Sequence, residues 1–220
     1  MINPSDIDSS DLLGRWRGPA RLPAVPPADF PLHLPLPLRK WYGLTSCWPE
    51  VRSAGTNVYE PSRVRTGVDR VAFMEDSTGD WVWAFDPDQP DIVYEGESTR
   101  ALRRSPEDLA ELLVHATVRS VILLSGSGRL GAQVPDEALP QILDPLECVD
   151  FGGWRWPRPG YRIHVANNLM AEVGPAVDPQ APWLNRAGYS AVRIAGLHDS
   201  DLDYLDSFPM VTWIDMGLGV

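Results

Sequence analysis

Few of the residues that could do chemistry in this chain stand at spacings that a reaction needs. Gly126-Ser127-Gly128-Arg129-Leu130-Gly131 matches G-x-G-x-x-G. That pattern holds a pyrophosphate only when a strand precedes it and a helix comes after it, so that backbone amides converge on the phosphates. Here the preceding segment reads as a helix, and Pro135 and Pro140 break up any helix on the C-terminal side. A flexible loop ending a helix is the expectation. Asp86, Asp88 and Glu97 fall at the first, third and last positions of a calcium-loop template, but Pro90 and Asp91 stand where the loop needs a ligand and a glycine. His33, His115, His164 and His198 show neither H-x-x-x-H nor H-E-x-x-H spacing, and no G-x-S-x-G elbow occurs. Cys47 and Cys148 are too few for a disulfide framework or a zinc site. Carboxylates abound, yet acid–base work needs one of a pair desolvated and the other not. The expectation is therefore no catalytic residue, no metal and no cofactor. A Ser/His/Asp set assembled only by the fold stays open as the alternative.

Charge is the stronger signal. The 220 residues carry a formal net charge of -11, and phosphate binding needs clustered cations, so no nucleic-acid partner is expected. The acids come in blocks. Residues 71–97 contain Glu75, Asp76, Asp80, Asp86, Asp88, Asp91, Glu95 and Glu97 with no cation; 131–150 and 194–220 each add five more carboxylates, again without a cation. Such a surface attracts a basic partner. Glu75, Asp76, Asp80, Asp88 and Asp91 fall at turns and are the expected contacts. Trp48, with Trp154 and Trp156, lies near loops and is the expected aromatic contribution. No apolar run reaches the length of a membrane span, and MINPSDIDSSDLL has no basic region leading into an apolar one. No membrane association and a cytoplasmic location are expected.

Local structure must position these groups. Hydrophobic residues make up 44% and charged residues 22% of the chain, the composition of a globular protein with a core. Prolines crowd 19–37, so 17–35 should be an extended strap, with Leu22, Val25, Phe30 and Leu34 touching the domain. Residues 5–16 and the segment after Pro37 read as short helices. The run RVAFMEDSTGDWVWAF at 70–85 alternates around a glycine-containing loop, and Ile92-Val93-Tyr94 comes after the Pro87 and Pro90 turn. Together they predict a three-stranded antiparallel meander, with Trp81, Trp83 and Phe85 facing the core and Val82 and Ala84 on a partly open face. Ser105-Pro106-Glu107-Asp108 reads as the start of a helix running to about Ser125. Further on, 161–173 is a second hairpin around Asn167-Asn168. Trp183 and Leu184 suggest a turn, and 191–194 a strand. A short acidic helix capped by Asp199 or Ser200 buries Leu202 and Leu205, and 211–214 is a closing strand.

Over 34–125 come, in order, Leu36-Pro37-Leu38-Arg39-Lys40-Trp41-Tyr42, Asn57 and Pro61, Val71-Ala72-Phe73-Met74-Glu75-Asp76 with Gly79, Trp81-Val82-Trp83-Ala84 with Asp86, Pro90-Asp91-Ile92-Val93-Tyr94, and Leu109, Leu112 and Leu113. This order resembles the SUKH superfamily of immunity proteins, which also contains a yeast regulator of cell-wall assembly. The resemblance implies an α+β fold with a central mixed, largely antiparallel sheet packed by helices. It implies a core at 34–125; composition and patterning add a Pro-rich segment at 1–33 and a C-terminal α+β extension at 126–220, separate or part of the same domain. It also implies a non-enzymatic protein that neutralises a cognate toxin, such as a nuclease, in a bacterial polymorphic toxin system. A small intracellular enzyme and a regulatory scaffold are the alternatives.

Overall fold

The computed structural model describes residues 1–64 and 69–217. The class is α+β, as the sequence indicates, with one five-stranded and one six-stranded sheet, each antiparallel between all its strands. The chain divides into two compact units: Pro4–Val121 with Trp154–Trp156, and Ile122–Gly153 with Pro157–Val220 and Met1–Asn3.

In the N-terminal unit, α1 (Ser9–Arg17) opens on Asp8, whose carboxylate accepts the Ser10 and Asp11 N–H groups at 2.8 and 3.1 Å. That satisfies amides left without partners by the first turn. The proline-rich strap comes next and is anchored where its apolar residues meet α2 (Leu36–Thr45). Val25 N–H donates to Ser46 Oγ at 3.0 Å, and the Phe30 ring lies 5.6 Å from that of Tyr42. The approach is close: a Cβ on Gly43 would lie 2.6 Å from the Val25 carbonyl oxygen. Leu34 is buried, whereas Leu22 is exposed and does not take the expected part. Pro37 sits in the first turn of α2, where a missing N–H costs nothing, and Leu38, Trp41 and Tyr42 are buried behind it.

The five strands run in sequence order: β1 (Thr56–Val58), β2 (Val71–Asp76), β3 (Trp81–Phe85), β4 (Ile92–Glu97) and β5 (Arg103–Asp108). Val71 faces Phe85 and Phe85 faces Val93 across the meander. Trp83 and Phe85 are buried and Trp81 is half-buried. Ala84 is buried as well, so the second face is half-buried at Val82 and closed at Ala84. The segment 105–108 is not a helix start. It belongs to edge strand β5, where Ile92 pairs with Asp108 and Tyr94 with Arg104. Pro106 is tolerated there because an edge strand leaves one side of its backbone unpaired. Helix α3 (Leu109–Leu124) begins directly after it, and the capping oxygen is that of Asp108, which accepts the Glu111 N–H at 2.8 Å. Every residue from 115 to 122 is buried.

In the C-terminal unit the elements are β6 (Ser127–Pro135), α4 (Leu139–Ile142), β7 (Glu147–Cys148), β8 (Arg162–Val165), β9 (Leu169–Asp178), β10 (Ala181–Gly196) and β11 (Trp213–Asp215). Their order across the sheet is β11-β6-β10-β9-β8-β7. Ile2 bridges Val149 in parallel beside β7. Val134, Ile142, Ala171, Val192, Ile194 and Leu205 form an aliphatic core. The 3-10 helix Asp199–Ser207 buries Leu202 and Leu205 as expected, although its cap is His198, whose N–H donates to Asp201 Oδ2 at 2.8 Å. The hairpin expected at 161–173 is present as β8 and β9. Two expectations fail. The glycine-rich stretch 127–131 is strand, paired to β10 and β11, not a helix-ending loop. Gly131 is there for packing: a Cβ would lie 2.6 Å from Val134 Cγ2 and 3.0 Å from the Trp213 ring. With strand where a helix must open, the amides cannot converge on a pyrophosphate. Trp183 and Leu184 are not a turn but part of β10.

Candidate partner-binding surface

The meander turns carry the predicted contacts, and the structure sorts them into structural and presented groups. At the β2–β3 turn, Asp76 is 5% exposed. Its Oδ1 accepts the Trp81 N–H at 3.0 Å and its Oδ2 lies 2.8 Å from the Thr78 hydroxyl. Burial alone would raise its pKa. The hydrogen bonds from Trp81 N–H, the Thr78 hydroxyl, Asp80 N–H and the Trp156 indole outweigh this and hold it below the usual carboxylate range. Asp76 therefore builds the turn, and the expectation that it meets a partner is corrected. Gly79 takes a φ of +77° that the turn requires. Asp80 projects from the tip, exposed, and its carbonyl accepts the Ser98 N–H at 2.7 Å. Glu75 is half-buried and accepts the Tyr59 hydroxyl at 2.7 Å. Burial, and then that bond, push Tyr59 up to about 12.

At the β3–β4 turn, Asp86 Oδ1 accepts the N–H groups of Asp88 and Gln89 at 3.0 and 3.3 Å, and its Oδ2 pairs with Arg70 at 3.3 Å. The Arg70 guanidinium stacks 3.8 Å from the Tyr94 ring centroid. Asp88 and Asp91 are exposed. Beside this turn lies an open cavity of about 650 Å³ lined by Asp69, Arg70, Asp86, Pro87, Asp88, Tyr94 and Leu102. Glu97 is exposed and pairs with Arg100 at 2.9 Å. Arg103 and Arg104 come next on β5, so the acidic character is confined to the turns and gives way to cations at that sheet edge.

Trp48 is 4% exposed, its indole N–H donating to the Gly18 carbonyl at 3.1 Å. It is core, not contact surface. Trp154 is buried too. It opens the Trp154–Trp156 insert, which nothing in the sequence connects to the meander. The Trp154 indole N–H donates to Glu107 Oε2 at 2.8 Å, and Glu107 Oε1 lies 2.8 Å from His115 Nδ1. The Trp83 ring lies 5.1 Å from Trp154 and 6.0 Å from Trp156, and Arg119 covers Trp156 at 4.8 Å. Glu95, 1% exposed, accepts the Arg155 N–H at 3.4 Å and faces its guanidinium at 3.5 Å. Burial raises the pKa of Glu95 despite Arg155. A cavity of about 210 Å³ lies beside it, among Trp81, Glu97, Arg100, Arg103 and Arg155. A W-R-W triplet in a chain with two acids on neighbouring strands is the only trace of this cluster in the sequence.

Among the described residues, no group of three or more His, Cys, Asp or Glu is arranged to hold a metal ion, and no helix is long and apolar enough to cross a membrane. Compared with protein-family models, curated proteins and solved structures, the chain matches none of them.

Proposed function

We propose that this chain is a non-enzymatic, cytoplasmic protein-binding protein, an immunity protein that neutralises a basic cognate toxin such as a nuclease. The observation that carries the reading is the set of exposed carboxylates at Asp80, Asp88 and Asp91. They stand on turns of a sheet whose buried carboxylates, Asp76 and Glu95, are held by internal partners. The exposed ones are left to steer a cation-rich surface. The order of α2, an antiparallel meander and α3 agrees with what the SUKH resemblance implies. Long-range attraction acts mainly on encounter. With a toxin encoded beside this chain as partner, Asp80→Arg and Asp88→Arg together should slow association about tenfold at low salt. Added salt should shrink the difference. An unchanged rate and salt dependence in a folded, binding-competent variant would remove the turns from the interface.

The enzyme alternative has one observation in its favour, the buried, protonation-prone Glu95 beside a cavity. Glu95→Gln separates the two readings, because a partner-binding protein keeps its association rate in this variant and an acid catalyst loses turnover.

A further inference from the structure

The C-terminal unit carries the most conspicuous apolar exposure among the described residues: Trp183 is 76% and Leu184 54% exposed, with Val177 beside them on the same hairpin. A surface indole is a costly thing to present unless it meets something. The backbone is arranged to present it. Ala181 pairs with Asp178 and Asn185 with Val177, so β10 advances four residues while β9 advances one, and Pro182, Trp183 and Leu184 are extruded from the ladder. Bulges of this kind re-aim side chains. The arm is also braced. Arg158 donates to Asn185 Oδ1 at 2.9 Å and to the Pro182 carbonyl, while Gln133 donates to the Val177 carbonyl at 2.7 Å. Arg186 donates to Gln133 Oε1 at 2.8 Å and stacks 3.7 Å from the Tyr189 ring centroid. Little conformational freedom remains to be lost on binding.

Charge selects the occupant. In a chain of net charge -11, residues 157–198 hold Arg158, Arg162, Arg186 and Arg193 against Glu172 and Asp178, and Glu172 is buried. The arm is an apolar tip flanked by Arg158 and Arg186. The matching surface is on the same chain. The cavity of about 650 Å³ at the β3–β4 turn has Leu102 and Pro87 in its lining together with Asp69, Asp86 and Asp88; Arg70 in the same lining is taken up by Asp86 and the Tyr94 ring, which leaves Asp69 and Asp88 exposed at the rim, and the cavity's volume is that of an ordinary ligand pocket. We propose that the β9–β10 hairpin docks into this cavity on a second copy of the chain, seating Trp183 and Leu184 against Leu102 and Pro87 while Arg158 and Arg186 meet Asp69 and Asp88. An anionic bilayer fits less well, because it would repel the rest of an acidic chain. The contact is heterologous, with different patches on the two copies. It does not depend on the toxin reading, but it would occupy part of the surface that reading uses.

Sedimentation velocity on the full chain over a concentration series tests it. Mass should rise with concentration at low salt and fall back in high salt. Trp183→Ala with Leu184→Ser removes the tip, and Asp69→Arg with Asp88→Arg removes the rim. Each pair of substitutions should weaken self-association at least about tenfold, since both sit where a few residues dominate an interface. Mixing the two variants is the decisive arm: each supplies the half that the other lacks, so the mixture should form a dimer and stop there. Three results would overturn the proposal. They are a chain that stays monomeric at every concentration, rim variants that associate as well as the parent, and an arm that binds anionic vesicles while the chain remains monomeric. Circular dichroism on each variant confirms folding, which substitution of such exposed side chains should leave intact.

Discussion

The two units use the same antiparallel sheet chemistry and fill their interiors in opposite ways. In the N-terminal unit, polar groups are taken inside and held by specific partners: Glu107 by His115 and Trp154, Glu95 by Arg155, Asp76 by the turn it organises. In the C-terminal unit the core is mainly aliphatic, built on Val134, Ile142, Val192 and Ile194, with His164 and Glu172 its buried ionisable groups, and Trp183 is exposed on the arm. Each unit is therefore fragile at a different kind of position. A buried carboxylate stripped of its partner retains the full cost of leaving water, whereas an aliphatic core loses only contact area and is injured chiefly by changes of volume.

The largest effect is expected from Trp154→Ala. It removes a buried ring and leaves Glu107 without its indole donor, and should cost about 3–5 kcal/mol. Hydrogen exchange should show the loss in the amides of β2 to β5, with β8 to β10 far less affected. Equal loss in both units would show that they unfold as one body and that the contrast has no energetic meaning. A volume test on the other side is Gly131→Ala. The added methyl meets Val134 and the Trp213 ring, and overpacking of this kind costs about 1–3 kcal/mol. Chemical denaturation should place that loss in the six-stranded sheet. Smaller, and within one turn, is the contrast between Asp76 and Asp80. Asp76→Arg breaks buried hydrogen bonds and should cost about 1–3 kcal/mol. Asp80→Arg, on the exposed tip, should stay within about 0.5 kcal/mol. Equal midpoints for the two variants would return Asp76 to the surface.

Acidity distinguishes the units by sign. Burial, assisted by the charge of Arg162, depresses the pKa of His164 below its ordinary 6.5. The unfolded chain then takes up the proton first, so stability in the C-terminal unit is lost as pH falls from 6.5 through the folded value. Glu95 behaves oppositely. Its pKa is raised above its ordinary 4.5, so the folded form holds a proton that the unfolded chain has released, and stability declines as pH rises from 4.5 through the folded value. Unit-resolved hydrogen exchange across this range should give opposite slopes. His164→Gln should flatten one and Glu95→Gln the other; slopes of the same sign would contradict the burial of one of the two groups.

What is legible in the sequence is whatever depends on neighbours along the chain. Alternation over 71–85 marks the β2–β3 hairpin, Asn167-Asn168 marks the β8–β9 turn, and Leu202 and Leu205 mark the buried side of a short helix. These are set by a period of two in strands or by i, i+3 spacing in helices, and by turn residues, all within a few positions. Tertiary structure decided the rest. Ser105-Pro106-Glu107-Asp108 has the local preferences of a helix start, yet pairing along β4 draws it into the sheet, because ladder hydrogen bonds and the bonds that hold Glu107 outweigh propensities of about 1 kcal/mol or less per residue. The stretch 126–131 carries a phosphate motif, yet its last glycine makes room for Val134 and Trp213. Trp48 and Asp76 look like contact residues because loops surround them in sequence, and become core and turn because Gly18 and Trp81 supply their partners. The Glu95–Glu107–Trp154 cluster joins positions about fifty residues apart, and the environment that shifts the Glu95 proton exists only once the fold has closed around it.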